Sequence, residues 1–136
     1  MLKQISLGAS LLMLLVGCQS TPEAAPPLEL IGTWQIEEAA GKPLIDYSPA
    51  QLTFAADNKF SGNNSCNNIF GDYVHEDSVL RLSPAGSSKK ACVDALMQQE
   101  QRIMQVLTRI NRLRFTQGKL ILLDERGHKQ LVLSRR

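Results

Sequence analysis

Ser61-Gly-Asn-Asn-Ser-Cys-Asn-Asn-Ile-Phe-Gly-Asp-Tyr73 is the densest local signal in the chain and the stretch on which the fold turns. Its thirteen residues hold four asparagines and two glycines, types that tolerate left-handed backbone and close local hydrogen bonds. Read alone, it is a structured loop pinned at Cys66, with capture of a polar ligand by the amides as the functional rival. It is not a nucleotide fingerprint, because it lacks the lysine-bearing glycine-rich loop and no helix follows it directly.

On either side the chain alternates in short strands. Leu30–Glu37 carries Trp34 and Ile36 on one face, and Gly41-Lys-Pro43 turns the chain. Gln51–Phe54 and Lys59–Gly62 flank a turn at Asp57-Asn58. Asp72–His75, Val79–Leu82, Arg112–Phe115, Lys119–Leu123 and Gln130–Leu133 are further strands, with turns at Glu76-Asp77, Gln117-Gly118 and Arg126-Gly127. One helix is predicted over about 94–110, where Leu96, Ile103, Leu107 and Ile110 form an apolar stripe flanked by Met97 and Met104. Gln98, Gln101, Arg102, Gln105 and Arg109 face away from it. The fold class expected is α+β and mostly β: a strongly curved, largely antiparallel sheet or partly open barrel packed against that helix. Glu100 falls inside the stripe, where a carboxylate is costly unless bonded. Three readings stand: a structural carboxylate held by loop amides or an arginine, a binding or acid/base group, and exposure at the stripe's edge.

The first residues belong to a different regime. Lys3 precedes an uncharged run from Ile5 to Val16, the length of a signal-peptide apolar region and short of the roughly 20 residues that span a bilayer. Leu15-Val16-Gly17-Cys18 resembles the lipobox of bacterial lipoproteins, which implies cleavage before Cys18 and lipid on that cysteine. Residues 1–17 are then a signal peptide, 18–27 a lipidated tether with three prolines, and 28–136 a single domain. Gln19 after the cysteine resembles the pattern exported to the outer membrane, so the expected location is its periplasmic face. Several acyl chains anchor stably where one binds reversibly.

Composition narrows the function classes. The formal charge of +2 falls to +1 once Lys3 leaves with the leader, and such neutrality argues against a nucleic-acid partner. The basic clusters Lys89-Lys90, Arg109 with Arg112 and Arg114, and Arg135-Arg136 read as solvated charges, with anionic lipid or an acidic partner as the alternative. With Cys18 committed to lipid, Cys66 and Cys92 form a pair in an oxidising compartment. A disulfide between them is worth about 3 to 4 kcal/mol in the chain-entropy account. A redox pair, or metal ligands aided by His75 or His128, are the rival readings.

The motifs together resemble the META domain of heat-shock-inducible lipoproteins. Leu30-Ile-Gly32-Thr33-Trp34 is similar to that family's opening, and Leu52-Thr53-Phe54 to its next strand. Ser61-Gly62, Ser65-Cys66-Asn67 and Gly71-Asp-Tyr73 resemble its Ser-Gly, Gly-Cys-Asn and Gly-x-Tyr motifs. Ser88-Lys-Lys-Ala91-Cys92 with Glu100 resembles its second cysteine and helical glutamate, and Leu120–Asp124 through Leu131–Leu133 its closing hairpin. Two positions depart: Ser65 stands where the family has glycine, so different backbone angles are expected, and Lys90 where it has methionine. Gly32-Thr-Trp34 is also similar to the lipocalin opening, but the Cys-Asn segment and the late helix fit META better. The resemblance implies a curved sheet wrapped on a helix and envelope residence, in some members linked with heat or antibiotic stress. It brings no agreed reaction or ligand.

No catalytic pattern emerges. Ser61, Ser65, Ser87 and Ser88 lack a nucleophile elbow, and neither histidine has a recognisable partner. Asp72, Asp77 and Asp94 do not nominate a carboxylate pair. The expectation is a non-catalytic envelope lipoprotein without a cofactor or metal. It would meet the membrane through its lipid and act on an envelope protein by contact, in stress or assembly. The alternative is a carrier of small apolar ligands or lipids on the concave face of the sheet.

Overall fold

The structure, a computed structural model, describes residues 29–136. The expected signal peptide, lipidated Cys18 and tether lie outside the described residues.

Strand β1 (Gly32–Ala39) buries Trp34 and Ile36, and a bulge between Ile36 and Glu38 resets the alternation so that Ala39 also points inward. The Trp34 indole N–H donates to the Leu30 carbonyl at 2.8 Å, which satisfies its polar atom inside the core. The expected turn at Gly41–Pro43 contains a two-residue strand, β2 (Lys42–Pro43), folded back on Glu38 and Ala39. Then follow β3 (Gln51–Phe54), β4 (Lys59–Asn63), β5 (Asn68–Glu76), β6 (Val79–Ser87), α1 (Asp94–Leu107), β7 (Arg112–Thr116), β8 (Lys119–Leu123) and β9 (Lys129–Arg135).

All pairings are antiparallel and nearly all join sequence neighbours. β1 also pairs with the last strand, from Trp34↔Arg135 to Ala39↔Leu131, so the meander closes into a barrel. Closure has one weak place: β6 and β7 share the single pair Val79↔Arg112. Helix α1 is inserted between these two strands in sequence and packs against β1, β6 and β9.

Three element bounds differ from the sequence reading by three residues or more, the others by two at most. β5 begins at Asn68 rather than Asp72, and β6 runs to Ser87 rather than Leu82, because Ile69–Phe70 and Gly86–Ser87 pair with each other. Glycines, asparagines and a proline hide the alternation there, while register with a partner strand restores it. The helix ends at Leu107 rather than Ile110. Asn111 is taken up by the sheet, donating to Leu123 O at 2.9 Å and accepting from Leu80 N at 3.0 Å.

The interior is one contiguous core. Trp34, Phe54, Leu52, Leu80, Leu120, Leu122, Leu131 and Leu133 point in from the wall, and Ile103, Val106 and Leu107 come from the helix. Phe54 meets Tyr73 edge-on with ring centroids 5.2 Å apart. The Tyr73 hydroxyl donates to Ala55 O at 2.6 Å; burial, with a smaller push from Asp57, raises its pKa above the usual phenol value. Leu96 of the expected stripe is only half-buried, and Val106 and Gln99 are buried instead, so the stripe is rotated toward them.

Candidate functional site

The asparagine segment forms a polar knot between the β4–β5 corner, the chain before α1 and the helix itself. Asn64, Ser65, Cys66 and Asn67 are all buried, which obliges each polar group to find a partner. Asn64 Oδ1 accepts from the backbone N–H groups of Cys66 at 3.2 Å and Asn67 at 2.7 Å, and Asn64 N donates to Asn67 O at 2.9 Å. The two free amide groups point the same way: Asn64 Nδ2 and Asn67 Nδ2 both donate to Glu100 Oε1, at 3.0 and 2.9 Å. Asn67 Oδ1 in turn accepts from Ser88 Oγ at 3.0 Å and Lys90 N at 2.8 Å. One asparagine thus binds the corner, the 88–90 segment and the helix.

Cys66 and Cys92 form a disulfide with Cα atoms 5.9 Å apart, which fixes the residue two before α1 to the same corner. Glu100, half-buried, braces loop amides with one oxygen already holding two donors. Hydrogen bonds to an ionised acceptor are the stronger kind, about 1.5 to 3 kcal/mol each.

Ser65 sits inside the knot between Asn64 and Cys66. Its φ of 93° lies in the region glycine favours, so serine here keeps the glycine-type backbone instead of adopting different angles. The compensation is local: Ser65 N donates to Asn63 Oδ1 at 2.9 Å, and its hydroxyl pairs with that of Ser48 at 2.9 Å. Lys90 enters the knot through its backbone, which is why a lysine can stand at that position.

The remaining motif residues shape the barrel wall around the knot. Gly62 and Gly71 lie where another strand passes closely: a Cβ at Gly62 would sit 2.1 Å from Gln51 O, and one at Gly71 2.2 Å from Ser83 O. Gly32 opens β1 opposite Phe54, and the Arg135 guanidinium lies 4.7 Å above the Trp34 ring. Ser61 is exposed on β4 and lines an exterior cleft of about 430 Å³ with Phe60, Phe70 and Ala85. Asn64, Ser48 and Gln99 were not singled out by sequence reading, and Ser88 was named only for its hydroxyl and its place in the second-cysteine motif. Asn64 was one of four like residues, and Gln99 is identified only by burial and by its side-chain Oε1 accepting from Ile45 N at 2.8 Å.

Residues of catalytic type stay apart. His75 Nε2 bonds to Asp77 O at 3.0 Å within its own hairpin turn, while His128 lies 3.4 Å from Asp124 in another. Among the described residues no group of three or more His, Cys, Asp or Glu side chains is placed to hold a metal ion. Among those residues, too, no helix is long and apolar enough to cross a membrane.

Comparison with solved structures finds the same fold at low identity. A Burkholderia xenovorans protein solved by NMR is similar with a TM-score of 0.63 and 22% identity, over 89% of this chain and 99% of its own. A DUF4847 family protein from Bacteroides vulgatus gives 0.57 at 14% identity, covering 77% of this chain and 92% of its own. A further protein solved by NMR gives 0.56 at 20% identity, over 76% and 87% of the two chains. No curated protein matches. The META domain model, by contrast, matches residues 28–136, which takes in the Gly-Thr-Trp opening, the whole knot and the closing hairpin. The chain belongs to the META domain family.

Proposed function

We propose that this protein is a non-catalytic lipoprotein of the bacterial envelope, held by lipid on Cys18 at the periplasmic face of the outer membrane. It acts by contact with another envelope protein, in assembly or in response to stress. The observation that carries this reading is the filled barrel: Trp34, Phe54, Phe60 and the leucines of β6, β8 and β9 occupy the interior together with Ile103 and Leu107. A barrel packed with its own side chains is a rigid body that presents its exterior. The best-organised polar residues support the same reading, because Asn64, Asn67 and Glu100 spend their hydrogen bonds on one another.

Crosslinking in intact cells, followed by mass spectrometry of captured species, tests it. One enriched envelope protein is expected, and recovery of lipid alone would overturn it. The carrier reading loses the concave face of the sheet, which Ile103, Val106 and Leu107 fill, and is left with an exterior apolar cleft where Phe70 is 56% exposed beside Phe60 and Ala85. Native mass spectrometry with extracted lipid would show a bound species if that reading holds.

A further inference from the structure

Beyond Val79↔Arg112 the β6–β7 ladder stops, and the chain leaving α1 crosses the gap. A cleft of about 480 Å³ opens there. Arg81 lines it from β6, Arg109 from the end of α1 and Arg126 from the β8–β9 turn, and Ser83 and Thr108 line it too. All three arginines are exposed, and among the described residues none of them forms an ion pair.

Two carboxylates also face this cleft. Asp124 is occupied by its own turn: Oδ1 accepts from the backbone N–H groups of Arg126 at 2.9 Å and His128 at 2.8 Å, and Oδ2 from Gln130 Nε2 at 3.1 Å. Burial pushes its pKa up, but the backbone N–H groups of His128 and Arg126 and the His128 ring outweigh it and hold the carboxyl below its usual value. Glu125 is exposed and forms no ion pair among the described residues. The carbonyl end of α1 adds a partial negative charge of about half a unit. Three guanidinium groups outweigh these, and they come from three separate elements around one concavity. Guanidinium forks match the oxygens of a phosphoryl group, and convergence from several directions suits a tetrahedral anion better than a planar one.

We propose that this cleft binds a phosphoryl group, carried by a lipid headgroup or present as free phosphate. The proposal rests on the cleft alone and not on the contact reading above. The test titrates the full chain, in a non-ionic detergent, with glycerophosphoethanolamine, glycerophosphoglycerol and inorganic phosphate, using neutral glycerol as the control and NMR shifts as the readout. Saturable binding is expected, with shifts at Arg81, Arg109 and Arg126. Preference for the glycerophosphodiesters assigns the site to a headgroup, and preference for inorganic phosphate assigns it to the free anion. Arg109→Ala should weaken binding about tenfold, and the triple alanine variant should abolish it. Lys89→Ala, outside the cleft, should leave it unchanged. Glu125→Gln removes the competing charge without touching an arginine and should tighten binding even if the triple variant fails to fold. No saturable binding by any probe would overturn the proposal, as would binding that survives the triple replacement or is lost equally in Lys89→Ala.

Discussion

Two corners of the barrel solve the problem of joining a helix to a sheet in opposite ways. At the β4–β5 corner a disulfide and a dense set of side-chain hydrogen bonds fix the start of α1. At the β6–β7 seam, where α1 ends, one residue pair and two flanking backbone bonds close the wall: Leu80 N to Asn111 O at 3.0 Å and Leu113 N to Ser78 O at 2.9 Å. The first corner is specified by particular side chains and is sensitive to their loss. The second is specified by backbone and by the apolar packing beneath it, and it leaves room for a cleft.

The largest expected effect follows from cutting the covalent link at the knot. Replacing Cys66 and Cys92 together by serine should lower unfolding free energy by about 3 kcal/mol, read as a lower urea midpoint with a steeper slope, because the unfolded chain without the crosslink exposes more surface. A loss well below 1 kcal/mol would mean the hydrogen bonds alone hold the corner. Asn67→Ala should cost about 2 to 3 kcal/mol by the same measurement, since it leaves Lys90 N and Ser88 Oγ without their acceptor and Glu100 short of a donor. Glu100→Gln, which keeps an oxygen in place, should cost only about 1 kcal/mol.

Ser65 offers a finer discrimination. Ser65→Ala keeps the strained backbone and loses the bond to Ser48, so about 1 kcal/mol or more should be lost. Ser65→Gly relieves strain while losing the same bond, and should lie within about 1 kcal/mol of wild type. If alanine is tolerated better than glycine, the φ of 93° is not what constrains this position.

At the seam the contrast is local opening rather than global stability. The amides of Leu80 and Leu113 should exchange with solvent about tenfold faster than those of Asn67 and Tyr73, measured by native-state hydrogen exchange. Equal protection would make the seam as cooperative as the knot.

The smallest effect is a pH dependence in the β1–β9–β8 wall. Lys119 first, and then Ser134, hydrogen-bond the Glu37 carboxylate and hold its pKa below the ordinary 4.5. In that window the unfolded chain binds the proton and the folded one does not. The contribution is therefore complete above about pH 4.5 and fades as pH falls through the lower folded value. The pair is more than a third exposed, which keeps the effect small. The stability difference between wild type and Glu37→Gln should shrink as pH falls from about 7 to about 3; a constant difference would show that Glu37 acts by packing.

The way each corner is built also explains what could be read from the chain. Strand alternation such as Trp34/Ile36 and Leu52/Phe54, and hairpin signals such as Gln117-Gly118, depend on neighbours in sequence, so all the main strands and the helix were legible. Asn68–Phe70 and Ala85–Ser87 were not, because each is a strand only by virtue of the other. Glu100 was visibly out of place in an apolar stripe, but nothing local says that its donors stand thirty-three and thirty-six positions earlier. The arginine cleft was invisible for the same reason, since Arg81, Arg109 and Arg126 belong to three elements.

By itself the sequence determined the periodic elements, the cysteine pair and the motif set that marks the family, because these are written in residue type and short spacing. Only the tertiary structure decided that the meander closes through β1 and β9, which amides face Glu100, and which arginines share a cavity. Those relations join residues far apart in the chain, and their partners are chosen by packing and register rather than by sequence neighbours.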